Sequence, residues 1–241
     1  MTDFSRIRPG WRVGPTHDPD EYRLVRRVTS GGEGELWLAA QRDPGSPKER
    51  HWALKILIPS RISPQDPAGA LTKLRVSRRE VNHLQLNGLL IPYDEFEGPA
   101  PHPQGEPFSE RGLYQISRWL DGTDLRSWTG GPNEAVVVIV ELCRIVDQLH
   151  DRGYLHRDIS PANVMVGADG SVTLIDITFI RDVDLGVRTR IGTPGSAAPE
   201  WRSGSTFATD RYSVGAVAYR ILTGDHALPQ LGAAEHARRA L

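Results

Sequence analysis

Alternating apolar and polar positions in the first half of the chain predict β-strands. Residues 22–40 form two such stretches joined by a glycine-rich turn, and residues 52–58 are a short apolar run that ends at Pro59. Residues 88–119 are expected to form a further strand pair. The segment between these two strands, 97–111, holds four prolines, so we expect it to be an exposed and mobile loop.

Helical spacing begins near residue 66 and dominates the second half of the chain. A helix is expected to start near Asp66-Pro67, an N-cap residue followed by proline. Residues 133–152 carry an apolar stripe, and we expect Cys143 to pack in the core with it. A last helix is predicted to be capped by Thr209-Asp210 and to stop at Gly224, with a buried face of Val214, Val217, Ile221 and Leu222. Strands first and helices later predict an α+β protein with two lobes and a cleft between them.

Composition and charge narrow the classes of partner. The 241 residues include 29 Lys and Arg against 30 Asp and Glu, a formal net charge of -1. This balance gives no support for bulk nucleic-acid or membrane-surface binding. The single cysteine rules out an internal disulfide, and no apolar run approaches the roughly 20 residues of a membrane helix. We therefore expect a cytoplasmic location, with no nucleic-acid partner and no membrane segment in this chain.

The strongest chemical signal is the segment His156-Arg157-Asp158-Ile159-Ser160-Pro161-Ala162-Asn163. Asp176 follows Asn163 by thirteen positions, after a strand-like run. Such residues would often occur singly by chance, but their order, with a helix before and a strand after, favours a functional motif. The pattern resembles the catalytic loop and metal-binding aspartate of eukaryotic-type (Hanks-type) serine/threonine protein kinases.

This resemblance implies phosphoryl transfer from ATP to protein hydroxyls, in a bilobal fold. Negative charge spreads over the γ-phosphate in the reaction, so a hard cation such as Mg²⁺ must neutralise it. By resemblance, Asn163 and Asp176 would bind Mg²⁺, and Asp158 would accept the proton of the attacking hydroxyl. The implied division is an extension over 1–21, an N-lobe over 22–120 and a C-lobe over 121–241.

Two upstream segments resemble the nucleotide-binding parts of the same family, and an adenine site is implied as well. Residues 28–36 are similar to its glycine-rich loop, with Gly31 and Gly34 matching two of the glycines, although a plain hairpin turn would look the same. Trp52-Ala53-Leu54-Lys55 resembles the strand whose lysine binds the α- and β-phosphates, and Glu80 would hold that lysine. In the implied adenine site, Leu36 and Ala53 would cover one face of the adenine and Met165 the other. Backbone groups of Arg118 and Leu120 would form hydrogen bonds with its edge.

Residues 192–200 resemble the end of a kinase activation segment. Thr193 would position the substrate hydroxyl near Asp158. The resemblance also implies that Arg157 belongs to a basic pocket for a phosphorylated residue, for which Thr189 is the candidate. The alternative is that Thr189 lies in an ordinary solvated basic loop without a regulatory role.

Several positions depart from the family pattern. Thr29 replaces the first loop glycine, Ser160 replaces a lysine that contacts the γ-phosphate, and Asp176-Ile177-Thr178 replaces Asp-Phe-Gly. We also expect a C-lobe that lacks its last helices, to be completed by further C-terminal chain or a partner. These departures keep a pseudokinase scaffold open as the alternative function. A small-molecule kinase is disfavoured by Arg157 and by Ala198-Pro199-Glu200.

Overall fold

The chain folds into two compact units. The computed structural model describes residues 7–31, 33–42, 48–183, 193, 195–202 and 204–224. The first unit comprises residues 1–79 and 92–120, and the second comprises residues 80–91 and 121–241. The predicted Thr189 and everything after Gly224, where the absence of further helices was expected, lie outside the described residues.

A six-stranded antiparallel sheet forms the first unit, with strand order β1-β2-β3-β4-β6-β5. Its strands are β1 (Arg12–Val13), β2 (Tyr22–Gly31), β3 (Gly34–Arg42), β4 (Glu49–Leu57), β5 (Asp94–Pro99) and β6 (Arg111–Arg118). Helix α1 (Pro59–Ile62), a 3₁₀ turn (Pro67–Gly69) and helix α2 (Ala70–Asn82) lie between β4 and β5. The Asp66 side chain accepts a hydrogen bond from the Gly69 N–H at 3.0 Å, which confirms the predicted cap.

Alternate residues of these strands are buried on opposite faces of the sheet, as the two-residue period of a strand requires. One face contributes an aromatic cluster that includes Trp37, Trp52 and Tyr114. On the other face, Leu57 and Leu113 pack with Ile62 of α1 and Leu74 of α2. Helix α2 is thus fixed to the sheet by its first turns.

The loop between β5 and β6 is less exposed than the sequence predicted. His102 is fully buried, and its backbone pairs with that of Arg12 in β1. The His102 ring nitrogens contact the carbonyl oxygen of Ala100 at 2.8 Å and the carboxylate of Asp20 at 3.2 Å. The prediction of a wholly exposed loop was therefore wrong, because the N-terminal extension covers its first part.

The described residues of the second unit include two long helices and several short strands. They are β7 (Gly122–Asp124), α3 (Pro132–His150), β8 (Tyr154–Leu155), β9 (Val164–Gly167), β10 (Val172–Leu174), β11 (Arg181–Asp182) and α4 (Phe207–Thr223). The strands form a sheet of order β10-β9-β7 and an antiparallel pair of β8 with β11. Residues 80–91 belong to this unit because Val81, Leu84, Leu86 and Leu89 are buried in its core. The predicted α+β class is confirmed.

Two details of the helices correct the prediction. Cys143 is exposed, because it falls outside the stripe of Leu142, Ile145 and Val146 that α3 buries. Helix α4 begins at Phe207 with Thr206 as its N-cap, and Leu222 is 53% exposed. Gly224 does end this helix, with a positive φ of 77° that favours glycine. In the described part of the chain, none of the helices has the length and apolarity needed to cross a membrane.

Candidate active site

The loop between β8 and β9 carries Asp158, and a buried carboxylate holds its backbone. Asp210 of α4 accepts hydrogen bonds from the N–H groups of His156 at 2.8 Å and Arg157 at 2.9 Å. Its Oδ2 also lies 3.0 Å from Nε2 of His150. Arg157 has a φ of 73°, a conformation that a non-glycine residue adopts only when its surroundings hold it. Asp210 is therefore an anchor for this loop.

Two side chains hold the carboxylate of Asp158. The Asn163 amide nitrogen donates to Oδ2 and to the backbone carbonyl oxygen of Asp158, both at 2.8 Å. The Thr193 hydroxyl donates to Oδ1 at 2.6 Å. Asp158 itself is half-buried. The arrangement presents an oriented hydrogen-bond acceptor that already accepts from one hydroxyl.

Asp176 lies next to this group through the backbone. The Ile175 N–H donates to the carbonyl oxygen of Asn163 at 2.8 Å, so the residue after Ile175 is held beside the Asn163 turn. Asp176 has a φ of 69°. Its Oδ1 accepts hydrogen bonds from the Thr178 hydroxyl at 2.6 Å and the Thr178 N–H at 3.2 Å.

His156 and Ile177 lie close in sequence to Asp158 and Asp176, respectively. Both are buried, and Ile177 belongs to the same apolar cluster as Leu84. Burial lowers the pKa of His156 below its usual value of 6.5, although the carboxylates of Asp210, Asp158 and Asp176 act in the opposite direction. Among the described residues, neither ring nitrogen of His156 has a hydrogen-bond partner. The ring therefore acts here as a neutral packing group.

Arg157 is buried and lies against the segment that follows Asp176. Its Nε donates to the Ser205 hydroxyl at 3.2 Å, and its Nη1 lies 3.5 Å from the carbonyl oxygen of Phe179. Burial lowers the pKa of Arg157, and the positive charge of Arg181 lowers it further. The guanidinium is thus held between the Ser205 hydroxyl and the backbone of the segment that follows Asp176.

The glycine-rich hairpin occupies the β2–β3 turn. Gly34 has a φ of 145°, and a Cβ there would lie 1.9 Å from the carbonyl oxygen of Ile56, so only glycine fits. A Cβ at Gly31 would meet nothing within 4 Å. The packing of β3 on β4 therefore explains why position 34 is glycine, whereas no such contact requires glycine at position 31.

Lys55 of β4 lies in a cross-strand row of side chains on one sheet face. It pairs with Leu36 of β3 on one side and Gln115 of β6 on the other. Ala53 occupies the next row of the same face, because side chains two apart share a face. Beyond the hairpin and this face, Arg118 ends β6 and Leu120 is the last residue of the first unit.

An ion pair between a half-buried arginine and a buried glutamate links α2 to the sheet of the first unit. Nε of Arg78 lies 2.7 Å from Oε2 of Glu95, whose side chain is fully buried. Arg75 donates to the Glu95 carbonyl oxygen at 2.9 Å. Burial raises the pKa of Glu95, while Arg78 opposes this shift. These contacts hold α2 against the sheet through Arg75 and Arg78.

Glu80 and Met165 fall in the second unit. Glu80 lies 3.8 Å from the Nη1 atom of Arg181, a contact that the sequence did not predict. Met165 is half-buried in β9 and pairs with Asp124 and Thr173. The second unit thus brings together Asp158, Asn163 and Asp176, while Gly31, Gly34, Leu36, Ala53, Lys55, Arg118 and Leu120 belong to the first unit.

Two residues of the site were not expected to act as they do. Asp210 was predicted to cap α4, but its carboxylate reaches a loop more than fifty positions earlier in the chain. Thr178 was noted only as a departure from the Asp-Phe-Gly pattern, but its hydroxyl donates a hydrogen bond to Asp176. Nothing in a local pattern identifies such partners, although an Asp inside an apolar helix face is a signal for a buried hydrogen-bond network.

The oxygen donors of the site suit Mg²⁺ better than a metal that needs a protein cage. In the described ranges there is no cluster of three or more His, Cys, Asp or Glu side chains that could hold a metal ion. Mg²⁺ typically takes one or two carboxylates and completes its shell with water and substrate phosphates. The Asn163 amide nitrogen is committed to Asp158, which leaves its side-chain carbonyl oxygen as the atom able to bind a cation. One carboxylate and one amide oxygen therefore fit Mg²⁺ bound together with a nucleotide.

Comparison with known proteins identifies the family of the chain. A family profile described as "Protein kinase domain" matches residues 22–240. Serine/threonine-protein kinase PknB of Mycobacterium tuberculosis is 32% identical over 226 residues, which cover 88% of this chain and 34% of that protein. PknB of Mycobacterium leprae is 31% identical over 230 residues, again covering 88% of this chain and 34% of that protein.

A cyanobacterial relative gives the same result. Serine/threonine-protein kinase C of Synechocystis is 28% identical over 221 residues, which cover 85% of this chain and 39% of that protein. The chain thus spans about a third of the length of the curated relatives it matches. The α+β class, the β-rich first unit and the family match agree with the predicted bilobal fold. The chain belongs to the protein kinase family, as a Hanks-type serine/threonine kinase domain.

Proposed function

We propose that this domain transfers the γ-phosphate of ATP to serine or threonine hydroxyls of proteins. The observation that carries the proposal is the Asp158 carboxylate, which is held by Asn163 and accepts a hydrogen bond from the Thr193 hydroxyl at 2.6 Å. A substrate hydroxyl would need the same kind of contact with the same carboxylate. The names of the relatives support a protein substrate.

In the proposed reaction, Asp158 is the catalytic base. The substrate oxygen forms a bond to the γ-phosphorus, the bond from this phosphorus to the β–γ bridging oxygen breaks, and the hydroxyl proton passes to Asp158. Asn163 keeps the carboxylate in one orientation, so the acceptor oxygen need not reorganise during the transfer. Thr193 shares Oδ1 with the incoming hydroxyl and would guide it there.

We propose that Asn163 and Asp176 are the Mg²⁺ ligands of the domain. When bound, Mg²⁺ supplies the positive charge that neutralises the phosphate oxygens. The hydrogen bonds of both side chains support the assignment, because they orient these oxygen donors before any ligand is present.

ATP binding is proposed to use residues of both units. Lys55 would contact the α- and β-phosphates and Glu80 would support it, while the turn at Gly31 and Gly34 would cover the phosphates. The adenine would lie between the side chains of Leu36, Ala53 and Met165. Backbone groups of Arg118 and Leu120 would form hydrogen bonds with its edge. The proposal also includes lobes over 22–120 and 121–241 and a cytoplasmic location.

A phosphotransfer assay tests the proposed function. The purified chain is incubated with Mg²⁺ and γ-labelled ATP, with and without a generic protein substrate. Asp158→Asn removes the base, and Asp151→Asn, an exposed aspartate beyond α3, is the matched control for loss of one charge. We expect label on protein for the wild type and Asp151→Asn, and a loss of at least a hundredfold for Asp158→Asn.

The outcomes separate the candidate functions. Nucleotide binding without label transfer would support the pseudokinase alternative and contradict the proposal. Equal labelling by Asp158→Asn would show that another residue is the base. Label found only on small molecules would assign the chain to a different class of phosphotransferase.

A further inference from the structure

Thr178 makes a specific contact with the side chain proposed to bind Mg²⁺. Its hydroxyl donates to Oδ1 of Asp176 at 2.6 Å, and its N–H donates to the same oxygen at 3.2 Å. Thr178 is 1% exposed, so its hydroxyl has little access to water. A buried hydroxyl needs a partner, and a carboxylate is the strongest acceptor available to it.

The contact depends on the residue type at position 178. A glycine there, as in the Asp-Phe-Gly pattern, would supply the N–H alone. The threonine adds a second donor to Oδ1, and its β-branched side chain has few rotamers, so the hydroxyl is held in place. The two donors together hold Oδ1 of Asp176 in place.

The backbone conformation of Asp176 gives this second hydrogen bond a structural role. Its φ of 69° lies in the left-handed region, which aspartate tolerates at some cost in free energy. Such a turn persists when neighbouring groups hold it. The hydroxyl of Thr178 closes a ring from residue 178 back to the side chain of residue 176 and so stabilises the turn.

We propose that Thr178 is a positioning residue for Mg²⁺ binding, acting through the orientation of Asp176. This inference rests on the proposed function, because it assumes that Asp176 is a metal ligand. Groups that hydrogen-bond to a metal ligand typically change metal affinity by about 10- to 100-fold when they are removed. The hydroxyl of Thr178 is the group in question.

A nucleotide-binding experiment tests this role without relying on turnover. A fluorescent ATP analogue is titrated in EDTA and at increasing Mg²⁺ for the wild type, Thr178→Val and Thr178→Ser. Valine keeps the shape and the N–H but removes the hydroxyl, whereas serine keeps the hydroxyl. We expect the Mg²⁺ concentration at half-maximal binding to rise about 10- to 100-fold for Thr178→Val and to stay within about threefold for Thr178→Ser, with binding in EDTA unchanged in both.

Two further variants keep the test decisive. Thr173→Val, at a half-buried strand position in β10, is the matched control and should leave the Mg²⁺ dependence unchanged. Thr178→Ala replaces the valine variant if valine prevents folding, as judged by circular dichroism, and the same rise is expected. Equal weakening in EDTA and in Mg²⁺ would indicate a merely structural role and overturn the proposal.

Failure of this inference and failure of the proposed function give different results. A wild type whose nucleotide binding depends on Mg²⁺, with the same dependence in Thr178→Val, overturns the role of Thr178 alone. Both are overturned if nucleotide binding by the wild type does not depend on Mg²⁺ and the Asp176→Asn variant binds nucleotide as the wild type does.

Discussion

The hydroxyl of Thr193 donates to Oδ1 of Asp158 at 2.6 Å, although the two residues are 35 positions apart in the chain. The Thr193 carbonyl oxygen also accepts from the N–H groups of Ser196 and Ala197, both at 3.0 Å. Hydrogen bonds therefore hold both the backbone and the side chain of Thr193. This relationship links the segment that follows Asp176 to the proposed base.

Replacement of Thr193 tests whether this link matters for the reaction. Thr193→Val keeps the shape of the side chain but removes the donor to Asp158, so we expect kcat to fall about tenfold to hundredfold. Thr193→Ser keeps the hydroxyl and should retain most of the activity. Steady-state kinetics measure both, and a fully active valine variant would contradict the role.

Loss of Asp210 is expected to destabilise the domain. Asp210→Ala leaves the buried N–H groups of His156 and Arg157 and the ring of His150 without their acceptor, so we expect the free energy of unfolding to fall by about 3 kcal/mol. Urea denaturation measures the change. The exposed Asp151 supplies the control, since Asp151→Ala should change stability by less than about 0.5 kcal/mol.

The buried His156 should make stability depend on pH. Because the folded state lowers its pKa below 6.5, the unfolded chain binds a proton more readily as the pH falls below this value. Stability from neutral His156 is therefore present above pH 6.5 and is lost below it, by up to about 1.4 kcal/mol per pH unit.

His156→Phe is the variant that isolates this effect, since a phenyl ring can fill a site whose ring nitrogens have no partner in the described part of the chain. The free energy of unfolding is compared at pH 7.5 and pH 5.5 for both proteins. We expect a smaller decrease for His156→Phe. An identical decrease would assign the pH dependence to other groups.

Lys55 is predicted to contribute positive charge to nucleotide binding. Lys55→Met removes the charge but keeps a long apolar side chain, so we expect the affinity for Mg²⁺-ATP to fall about tenfold or more. Lys48→Met, at an exposed position just before β4, controls for the change in net charge. Equal affinity in wild type and Lys55→Met, measured by titration calorimetry, would count against the assignment.

Thr189 is predicted to be the regulatory phosphosite. A phosphate adds about −1.5 to −2 charges, and the buried Arg157 guanidinium, with Arg181 nearby, is a suitable partner. We expect mass spectrometry after incubation with ATP to find phosphate on Thr189, and Thr189→Ala to lower activity about tenfold. An unmodified Thr189 together with a fully active alanine variant would place the regulation elsewhere.

Much of the fold could be predicted from local pattern. Strand alternation predicted the β2–β3 hairpin and β4, and helical spacing predicted α3, because burial repeats with the period of each element. The burial of the loop at His102 could not be predicted, since its cover comes from residues near the N-terminus. Cys143 was misplaced because a position beside an apolar stripe can face either the core or water.

Order and residue type along the chain were sufficient to identify the family and the candidate residues Asp158, Asn163 and Asp176. A motif is a local property, so it can be read without coordinates. Only the tertiary structure decided that Asp210 anchors the loop that carries Asp158 and that the Thr178 hydroxyl donates to Asp176. Hydrogen-bond partners are chosen by distance and direction in three dimensions, and a linear pattern of polar residues contains neither.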